Sequence, residues 1–384
     1  MKGCNLSMNT KKANTKKAKN KIGILTWHYY SNFGSRLQSY ALQNVIGELG
    51  YAVNIINYQN PLYSNTTLSK RIKTMVKLCL NKLFSNMSFF KGQFRYSDLM
   101  FEKKYLRQTQ LITSKDQLLK LTDEYSKIVY GSDQIWAPNV FNDIYMGAGV
   151  DVRKISYAAS IGLPNIPDEL VNTYKRLLND FDEISVREEA TQKLLKEKCG
   201  LDSKVVLDPT LLIGVEHYKG IECKPSKCER REGKDFAFCY FLNDNNNYWE
   251  KVSIICKEKK LKIYGVSLDK KNFQWMENMA GIGPREFIWL IDKAKYVFTD
   301  SYHGTIFSLL FHKDFFTFER FKADDPINQN SRIYQLDKWF NIGNRIVRKN
   351  IEDVLDKPYD YSFFEIMLEK YKEQSLSYLR EALV

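Results

Sequence analysis

The chain has 384 residues, of which 44% are apolar and 27% are charged, and its formal net charge is +13 at pH 7. This length allows two or three domains, and the composition is that of a globular protein, which excludes a wholly disordered chain, a collagen-like fibre and a coiled coil. No apolar run approaches the roughly 18 residues of a membrane-spanning helix, and the run 22–27 is too short for a signal peptide.

The excess positive charge lies in two segments that contain no acidic residue. Residues 1–20 carry six lysines and several asparagines, which predicts a disordered basic tail. Residues 64–95 are predicted to be a basic amphipathic insertion, because apolar residues recur at helical spacing among the lysines and arginines of its part 68–95. That part either packs on its own domain as a surface helix or contacts an anionic membrane surface. No nucleic-acid-binding module accompanies the charge, so nucleic acid is not expected as a partner.

Residues 21–213 alternate short β-branched or aromatic runs with amphipathic stretches, which predicts an N-terminal Rossmann-like domain with a parallel sheet. Its strands are expected at 22–27, 52–58, 127–130, 154–158, 183–186 and 204–207. Its helices are expected at 35–49, 114–122, 168–179 and 188–198.

Residues 214–234 are charged and interrupted by glycine and proline, which predicts a linker. The alternation resumes in a second Rossmann-like domain, 235–348, with strands expected at 236–242, 262–267, 296–299 and 315–318 and helices at 248–259, 285–294 and 305–311. Residues 349–384 are predicted to be a helical segment. The fold class is therefore α/β, with two Rossmann-like domains and a ligand cleft at the carboxyl ends of their strands.

The seven cysteines are spread thinly, and without an export signal they indicate reduced thiols in a cytoplasmic protein. His217, Cys223 and Cys228 come nearest to a metal-binding pattern. No paired CxxC accompanies them, so no metal site is expected.

The segment 295–311 is predicted to form a strand, a sharp turn and a helix. The turn carries five candidate site residues: Asp300, Ser301, His303, Gly304 and Thr305. Free backbone N–H groups at the helix start suit a phosphate or carboxylate, and Gly304 would let a ligand approach the backbone. A histidine here can act as a general acid or base near neutral pH. The same residues also fit a helix cap beside a structural histidine, and the local sequence does not separate the two interpretations.

Three other predicted strands also end in polar residues. The first leads to Asn32, Gly34 and Gln38, the third to Ser132 and Asp133, and the fifth to Arg187. Arg187 either binds an anion through its planar guanidinium or pairs with Glu188, Glu189 or Asp182. The chain contains no P-loop, no strand-borne GxGxxG and no HExxH, which argues against nucleotide hydrolysis and NAD-dependent chemistry.

Six segments, in order, resemble the polysaccharide pyruvyl transferase family: 32–42, 131–136, 156–162, 185–189, 207–211 and 299–305. The resemblance extends over about residues 21–345. It implies two Rossmann-like domains arranged as in GT-B glycosyltransferases. It also implies transfer of pyruvate from phosphoenolpyruvate, the donor substrate, to two hydroxyls of a sugar as a cyclic ketal, without a further cofactor.

The resemblance also suggests roles for individual residues. His303 matches the family's motif histidine, and Arg187 matches its basic residue after the fifth strand. Asp133 and Asn32 are expected to contact sugar hydroxyls, and His303 and Asp133 are the candidate catalytic residues. The acceptor is expected to be a sugar of a surface polysaccharide such as a capsule or exopolysaccharide, or its polyprenyl-linked precursor at the inner face of the membrane. Ser301 stands where many family members have an arginine, so the phosphate site lacks one cation. Two alternatives therefore stay open: a GT-B-like glycosyltransferase with a nucleotide-sugar donor, and a non-catalytic glycan-binding member of the assembly machinery.

Overall fold

The structure, a computed structural model, describes residues 20–29, 32–59, 96–228, 235–243, 246–267, 270–355 and 357–384. The predicted basic tail, apart from Asn20, and the whole predicted insertion 64–95 lie outside the described residues. So do residues 229–234 of the predicted linker.

The first half of the chain forms a parallel sheet with the strand order β2-β1-β3-β4. Single bridges from Ile155 to Glu183 and from Ala159 to Val186 extend it to the parallel pair β5 and β6. The central strand β3 is buried along its whole length, as expected for a parallel strand with both faces covered. The strands are β1 (Lys21–Leu25), β2 (Ala52–Ile55), β3 (Lys127–Tyr130), β4 (Arg153–Ser156), β5 (Ser185–Val186) and β6 (Lys204–Val205).

The helices of this half cover the sheet and follow the strands in alternation. They are α1 (Phe33–Glu48), α2 (Tyr96–Tyr105), α3 (Lys115–Thr122), α4 (Asp168–Leu178), α5 (Glu189–Leu194) and α6 (Val215–Lys219). Helix α5 continues into one π-helical turn, Leu195–Cys199.

The second half forms a six-stranded parallel sheet with the order β12-β11-β10-β7-β8-β9. Its strands are β7 (Phe236–Tyr240), β8 (Lys262–Val266), β9 (Glu277–Asn278), β10 (Tyr296–Thr299), β11 (Asp314–Phe318) and β12 (Ile346–Val347). Its helices are α7 (Asn246–Glu258), α8 (Pro284–Lys293), α9 (Tyr302–Leu310), α10 (Ser331–Phe340), α11 (Glu352–Leu355) and α12 (Tyr361–Leu383). No described helix combines the length and the apolar character that a membrane crossing requires.

All the strands and helices predicted within the described residues are present, with ends shifted by a few residues. The elements that were not predicted are α2, α6, α10 and the short edge strands β9 and β12. The predicted linker differs from expectation, because it contains α6 and a 3-10 turn at Ser226–Cys228. Helix α6 is held by packing, since Tyr218 is fully buried and its ring meets that of Phe307 edge-on at 4.9 Å.

The two halves are in direct apolar contact where α1 meets α8. The ring of Phe33 stacks on Phe287, with 4.9 Å between the ring centres, and lies 5.4 Å from the ring of Tyr240. Helix α12 also joins the halves, because its first part packs on α10 of the second half and its last part packs on the first half. The Tyr378 hydroxyl donates to the carbonyl oxygen of Ser156 at 2.9 Å. These contacts bring the carboxyl ends of the strands of both sheets together.

Candidate active site

His303 lies in the first turn of α9, directly after β10. Ser301 is the N-cap of this helix, and its hydroxyl oxygen accepts from the backbone N–H of Gly304 at 3.3 Å. The helix therefore begins at Tyr302 rather than at Thr305, and His303 belongs to the helix rather than to the preceding turn. The histidine is only 3% exposed, and its Nε2 lies 3.4 Å from Asp208 Oδ2.

Helix α1, from the other half of the molecule, presents Gly34 to the imidazole of His303. A Cβ at Gly34 would lie 2.0 Å from His303 Nδ1, so only glycine fits here without displacing the ring. The Gly34 N–H donates to Asn32 Oδ1 at 2.9 Å, which makes Asn32 the N-cap of α1. Of these two residues, both predicted to bind substrate, Gly34 packs against the histidine ring and Asn32 caps the helix that carries Gly34.

Replacing Gly34 with alanine is expected to lower both stability and activity, because the added methyl group would overlap the His303 ring. Overpacking of this kind typically lowers the free energy of unfolding by about 1–3 kcal/mol. Gly47→Ala is the matched control, since Gly47 lies in the same helix and its Cβ would lie 3.5 Å from Arg107 Nη1. Urea denaturation should show a destabilised Gly34→Ala protein and an unchanged or stabilised Gly47→Ala protein. Equal stabilities would contradict the close packing of Gly34 on His303.

Asp208 lies at the centre of the buried cluster. Its Oδ2 accepts from Arg187 Nη1 at 3.0 Å and from the Ser132 hydroxyl at 3.3 Å. Its Oδ1 accepts from the Thr210 backbone N–H at 3.0 Å and from the Thr210 hydroxyl at 2.7 Å. Burial by itself raises the pKa of this carboxyl, but His303, Arg187 and the Thr210 N–H outweigh burial and hold the pKa well below its usual value. Asp208 is therefore a carboxylate at neutral pH.

Arg187 follows β5 and is 1% exposed. Besides Asp208, two carboxylates approach it: Glu188 Oε2 lies 3.6 Å from Nε, and Asp133 Oδ1 lies 3.8 Å from Nη2. Neither Nε nor Nη2 has a hydrogen-bond partner among the described residues. Burial lowers the pKa of Arg187, but Tyr302 and the three carboxylates raise it above its ordinary value, so the residue stays charged.

Of the ion pairs that the sequence allowed for Arg187, only the one with Glu188 is present. Glu189 pairs instead with Lys338 at 2.6 Å, and Asp182 lies 3.9 Å from Arg153. Arg187 is thus both an ion-pairing residue and a residue with two unused donors.

Asp133 and Ser132 connect this cluster to α1. Asp133 Oδ2 accepts from the Ser35 hydroxyl at 2.5 Å. Gln38 Oε1 accepts from the Ser132 N–H at 3.3 Å, and Gln38 Nε2 donates to the Thr26 hydroxyl at 3.0 Å. Gln38, predicted to bind substrate, thus links the loops that follow β1 and β3 through its side-chain hydrogen bonds.

The remaining predicted residues of the β10–α9 turn are engaged in contacts within the protein. Asp300 accepts from the backbone N–H groups of Leu242 and Asn243 at 2.7 and 3.0 Å, and from Arg320 Nε at 3.2 Å. Gly304 is required by packing, because a Cβ there would lie 2.4 Å from Thr299 Oγ1. The Thr305 hydroxyl donates to the carbonyl oxygen of Ser301 at 3.1 Å. These contacts fix the turn that positions His303.

The sequence assigned no role to several residues of the cluster. Asp208 lies in segment 207–211, which carries part of the family resemblance. An aspartate before proline also fits a helix cap, so the sequence did not single it out. In the structure Asp208 does cap the 3-10 turn Pro209–Leu211. The other residues without an assigned role are Ser35, Tyr302 and Arg332. Glu188 was expected only as a possible ion-pair partner of Arg187.

The cluster is closed, since His303, Arg187 and Asp208 are each at most 3% exposed. Two cavities lie elsewhere. One of about 480 Å³ is bordered by Lys115 and Arg176, and one of about 150 Å³ by Ser97 and Met279; neither touches the cluster.

No group of three or more histidine, cysteine, aspartate or glutamate side chains within the described ranges could hold a metal ion. His217 does not join Cys223 and Cys228 and instead lies 3.5 Å from Glu48. The five cysteines in the described ranges are free thiols.

Two parallel α/β halves that meet at the carboxyl ends of their strands define a GT-B-like fold. Similar solved structures include a putative UDP-N-acetylglucosamine 2-epimerase from Listeria monocytogenes, with 12% identity, a TM-score of 0.50, and coverage of 95% of this chain and 91% of that one. A glycosyltransferase from Rickettsia africae has 12% identity and a TM-score of 0.50, with 94% and 93% covered. At this identity the similarity shows the fold alone.

The sequence model of the polysaccharide pyruvyl transferase family matches residues 32–320. The chain belongs to this family, as the six segments indicated. None of the curated proteins matches the chain.

Proposed function

We propose that the protein transfers pyruvate from phosphoenolpyruvate to two hydroxyl groups of a sugar and forms a cyclic ketal. Membership of the family supports a transferase. The observation that carries the proposal is the buried cluster in which His303, from one half, meets the ionised Asp208 and Arg187, from the other.

The reaction requires one proton to be delivered and two to be removed. One sugar hydroxyl adds to C2 of phosphoenolpyruvate, while C3 gains a proton and becomes a methyl group. The proton that this hydroxyl loses replaces the one given to C3. The bond between C2 and the phosphate oxygen then breaks, and the second hydroxyl adds to C2. Its proton leaves with the phosphate, so that inorganic phosphate is the only other product. A histidine beside a carboxylate suits such proton transfers.

In this proposal His303 protonates C3, and its ring is held for that purpose by Gly34 and Asp208. Arg187 binds the donor's carboxylate. Its Nε and Nη2, which have no hydrogen-bond partner among the described residues, form the side-on edge of the guanidinium, and this edge matches the two oxygens of a carboxylate. Asp133 and Glu188 lie beside this edge, and as hydrogen-bond acceptors they suit the sugar hydroxyls.

The acceptor in this proposal is a sugar of a surface polysaccharide or its polyprenyl-linked precursor, at the cytoplasmic face of the membrane. The basic residues of 68–95, which lie outside the described residues, would contact the anionic lipid surface. Co-sedimentation with anionic but not neutral vesicles, lost when these residues are changed to glutamine, would support that contact. Equal sedimentation of the two proteins would exclude it.

The test of the proposed function is incubation of the purified protein with phosphoenolpyruvate and soluble or lipid-linked sugars. We expect inorganic phosphate to appear in step with a product whose mass is that of the pyruvate ketal, and no phosphate to appear without acceptor. Sugar transfer from a nucleotide-sugar donor, without use of phosphoenolpyruvate, would replace the proposal by the glycosyltransferase alternative. Glycan binding with no turnover of either donor would favour the non-catalytic alternative.

A further inference from the structure

Arg332, the second residue of α10, is a buried arginine without a carboxylate partner. It is 8% exposed, and among the described residues no carboxylate oxygen lies within 4.0 Å of its guanidinium. Its Nε and Nη2 donate to the carbonyl and side-chain oxygens of Gln329, at 3.3 and 2.6 Å. The other buried arginines among the described residues, Arg36, Arg187 and Arg345, each pair with at least one carboxylate.

This unpaired cation lies close to the candidate active site. The guanidinium groups of Arg332 and Arg187 both lie over the ring of Tyr302, at 5.8 and 4.6 Å from its centre. Tyr302 directly precedes His303. Arg320 also belongs to this region, because it holds Asp300 at the same turn. Three arginines from three separate segments therefore converge on the turn that carries the candidate catalytic histidine.

The positive charge of Arg332 is only partly compensated by its neighbours. Burial, followed by repulsion from Arg187 and Arg320, lowers the pKa of Arg332 to about 10, although Glu188 and Asp133 act in the opposite direction. A buried cation without a directly paired anion destabilises the protein. A bound phosphate would supply a directly paired anion.

We propose that Arg332 binds the phosphate group of the donor and so supplies, from α10, the cation that Ser301 does not provide. The identity of the donor rests on the proposed function, whereas the phosphate site rests on the burial of Arg332 and its proximity to Tyr302 and Arg187. In this arrangement Arg187 binds the carboxylate of phosphoenolpyruvate and Arg332 binds its phosphate. Both arginines contact Tyr302, which directly precedes His303. With Arg332 as the phosphate ligand, the site has a cation for each anionic group of the donor even though position 301 is a serine.

The test compares the full-length protein with Arg332→Gln and Arg332→Lys in thermal unfolding, with inorganic phosphate and with phosphoenolpyruvate as separate probes. Arg348→Gln is the matched control, since Arg348 is a half-exposed arginine of the same half of the molecule. We expect phosphate to raise the Tm of the parent and of Arg348→Gln, and to have at least about tenfold lower affinity for Arg332→Gln. Without ligand, Arg332→Gln should be as stable as the parent or more so, because an uncompensated buried charge has been removed. Arg332→Lys should recover part of the phosphate affinity.

The steady-state readout is the KM for phosphoenolpyruvate, which should rise at least about tenfold in Arg332→Gln. Phosphate affinity within twofold of the parent, or a lower unliganded Tm for Arg332→Gln, would overturn the inference and make Arg332 a structural residue. Failure of the proposed function is a separate result. If phosphate and UDP bind through Arg332 but phosphoenolpyruvate is not turned over, the phosphate site stands and the donor is wrong. Turnover of phosphoenolpyruvate with an unchanged KM in Arg332→Gln would remove only the role of Arg332.

Discussion

Replacing His303 with alanine is expected to lower turnover about 10²–10⁴-fold, the usual loss for a general acid–base residue, while the protein stays folded. The reason is geometric: the ring is buried between Gly34 and Asp208, where no other described histidine lies. Phosphate release in the presence of acceptor measures the turnover, and circular dichroism checks the fold.

His217→Ala is the control for this substitution, since His217 lies in α6 and its nearest charged neighbour is Glu48. It removes an imidazole without touching the cluster and should leave turnover unchanged. Turnover of His303→Ala within a few-fold of the parent would reduce His303 to a structural role in the β10–α9 turn.

Asp208→Asn is expected to be the most destabilising single substitution in the cluster, with a loss of about 3–5 kcal/mol in the free energy of unfolding. It removes the carboxylate closest to Arg187 and leaves that buried cation with Glu188 and Asp133 at 3.6 and 3.8 Å. Urea denaturation measures the loss. Asp202→Asn is the control, because the exposed pair of Asp202 with Lys196 contributes at most about 1 kcal/mol. A loss as small as that of the control would show that Arg187 does not depend on Asp208.

The loss should depend on pH in a defined direction. The folded protein holds the pKa of Asp208 below its usual value, so the stability that this carboxylate contributes is present above the unfolded pKa, about 3.9. The stability is lost as the pH falls below that value towards the folded pKa. The difference between the parent and Asp208→Asn should therefore be constant from about pH 5 to pH 7 and shrink below about pH 4. A difference that grows on acidification would contradict the depressed pKa.

The two sheets were predictable because their strands are short apolar runs between amphipathic stretches, as in the fully buried β3. The proximity of Asp133 and Arg187 follows from the rule that parallel strands present their carboxyl ends at one edge. His303 follows a strand of the second sheet and reaches them only through the contact between the two halves. Helix α2 was not predictable from periodicity, because its buried face includes two acids, Asp98 and Glu102. Both are held there by Arg36 of α1, at 3.7 and 2.8 Å.

The contribution of Arg332 could not be read from the sequence for a similar reason. Nothing in its neighbours distinguishes it from a solvated arginine on an amphipathic helix, and only the packing of α10 near Tyr302 buries it. Ser301 indicated a missing cation only through the family resemblance, whereas the proposed replacement, from a helix about thirty residues away, depends on tertiary contacts.

Helix α12 has a consequence for the order in which the protein can fold during synthesis. Its Ser375 hydroxyl accepts from the N–H of Leu207, directly before Asp208, and Lys127 donates to the carbonyl oxygen of Val384 at 3.0 Å. These partners are 168 and 257 positions apart in the chain. The Leu207 N–H and the Lys127 side chain therefore lack these partners while the first half leaves the ribosome. The segment that carries Asp208 can be fixed only after α12 has been synthesised. Such long-range closure slows folding and leaves the first half exposed to misassociation in the interval.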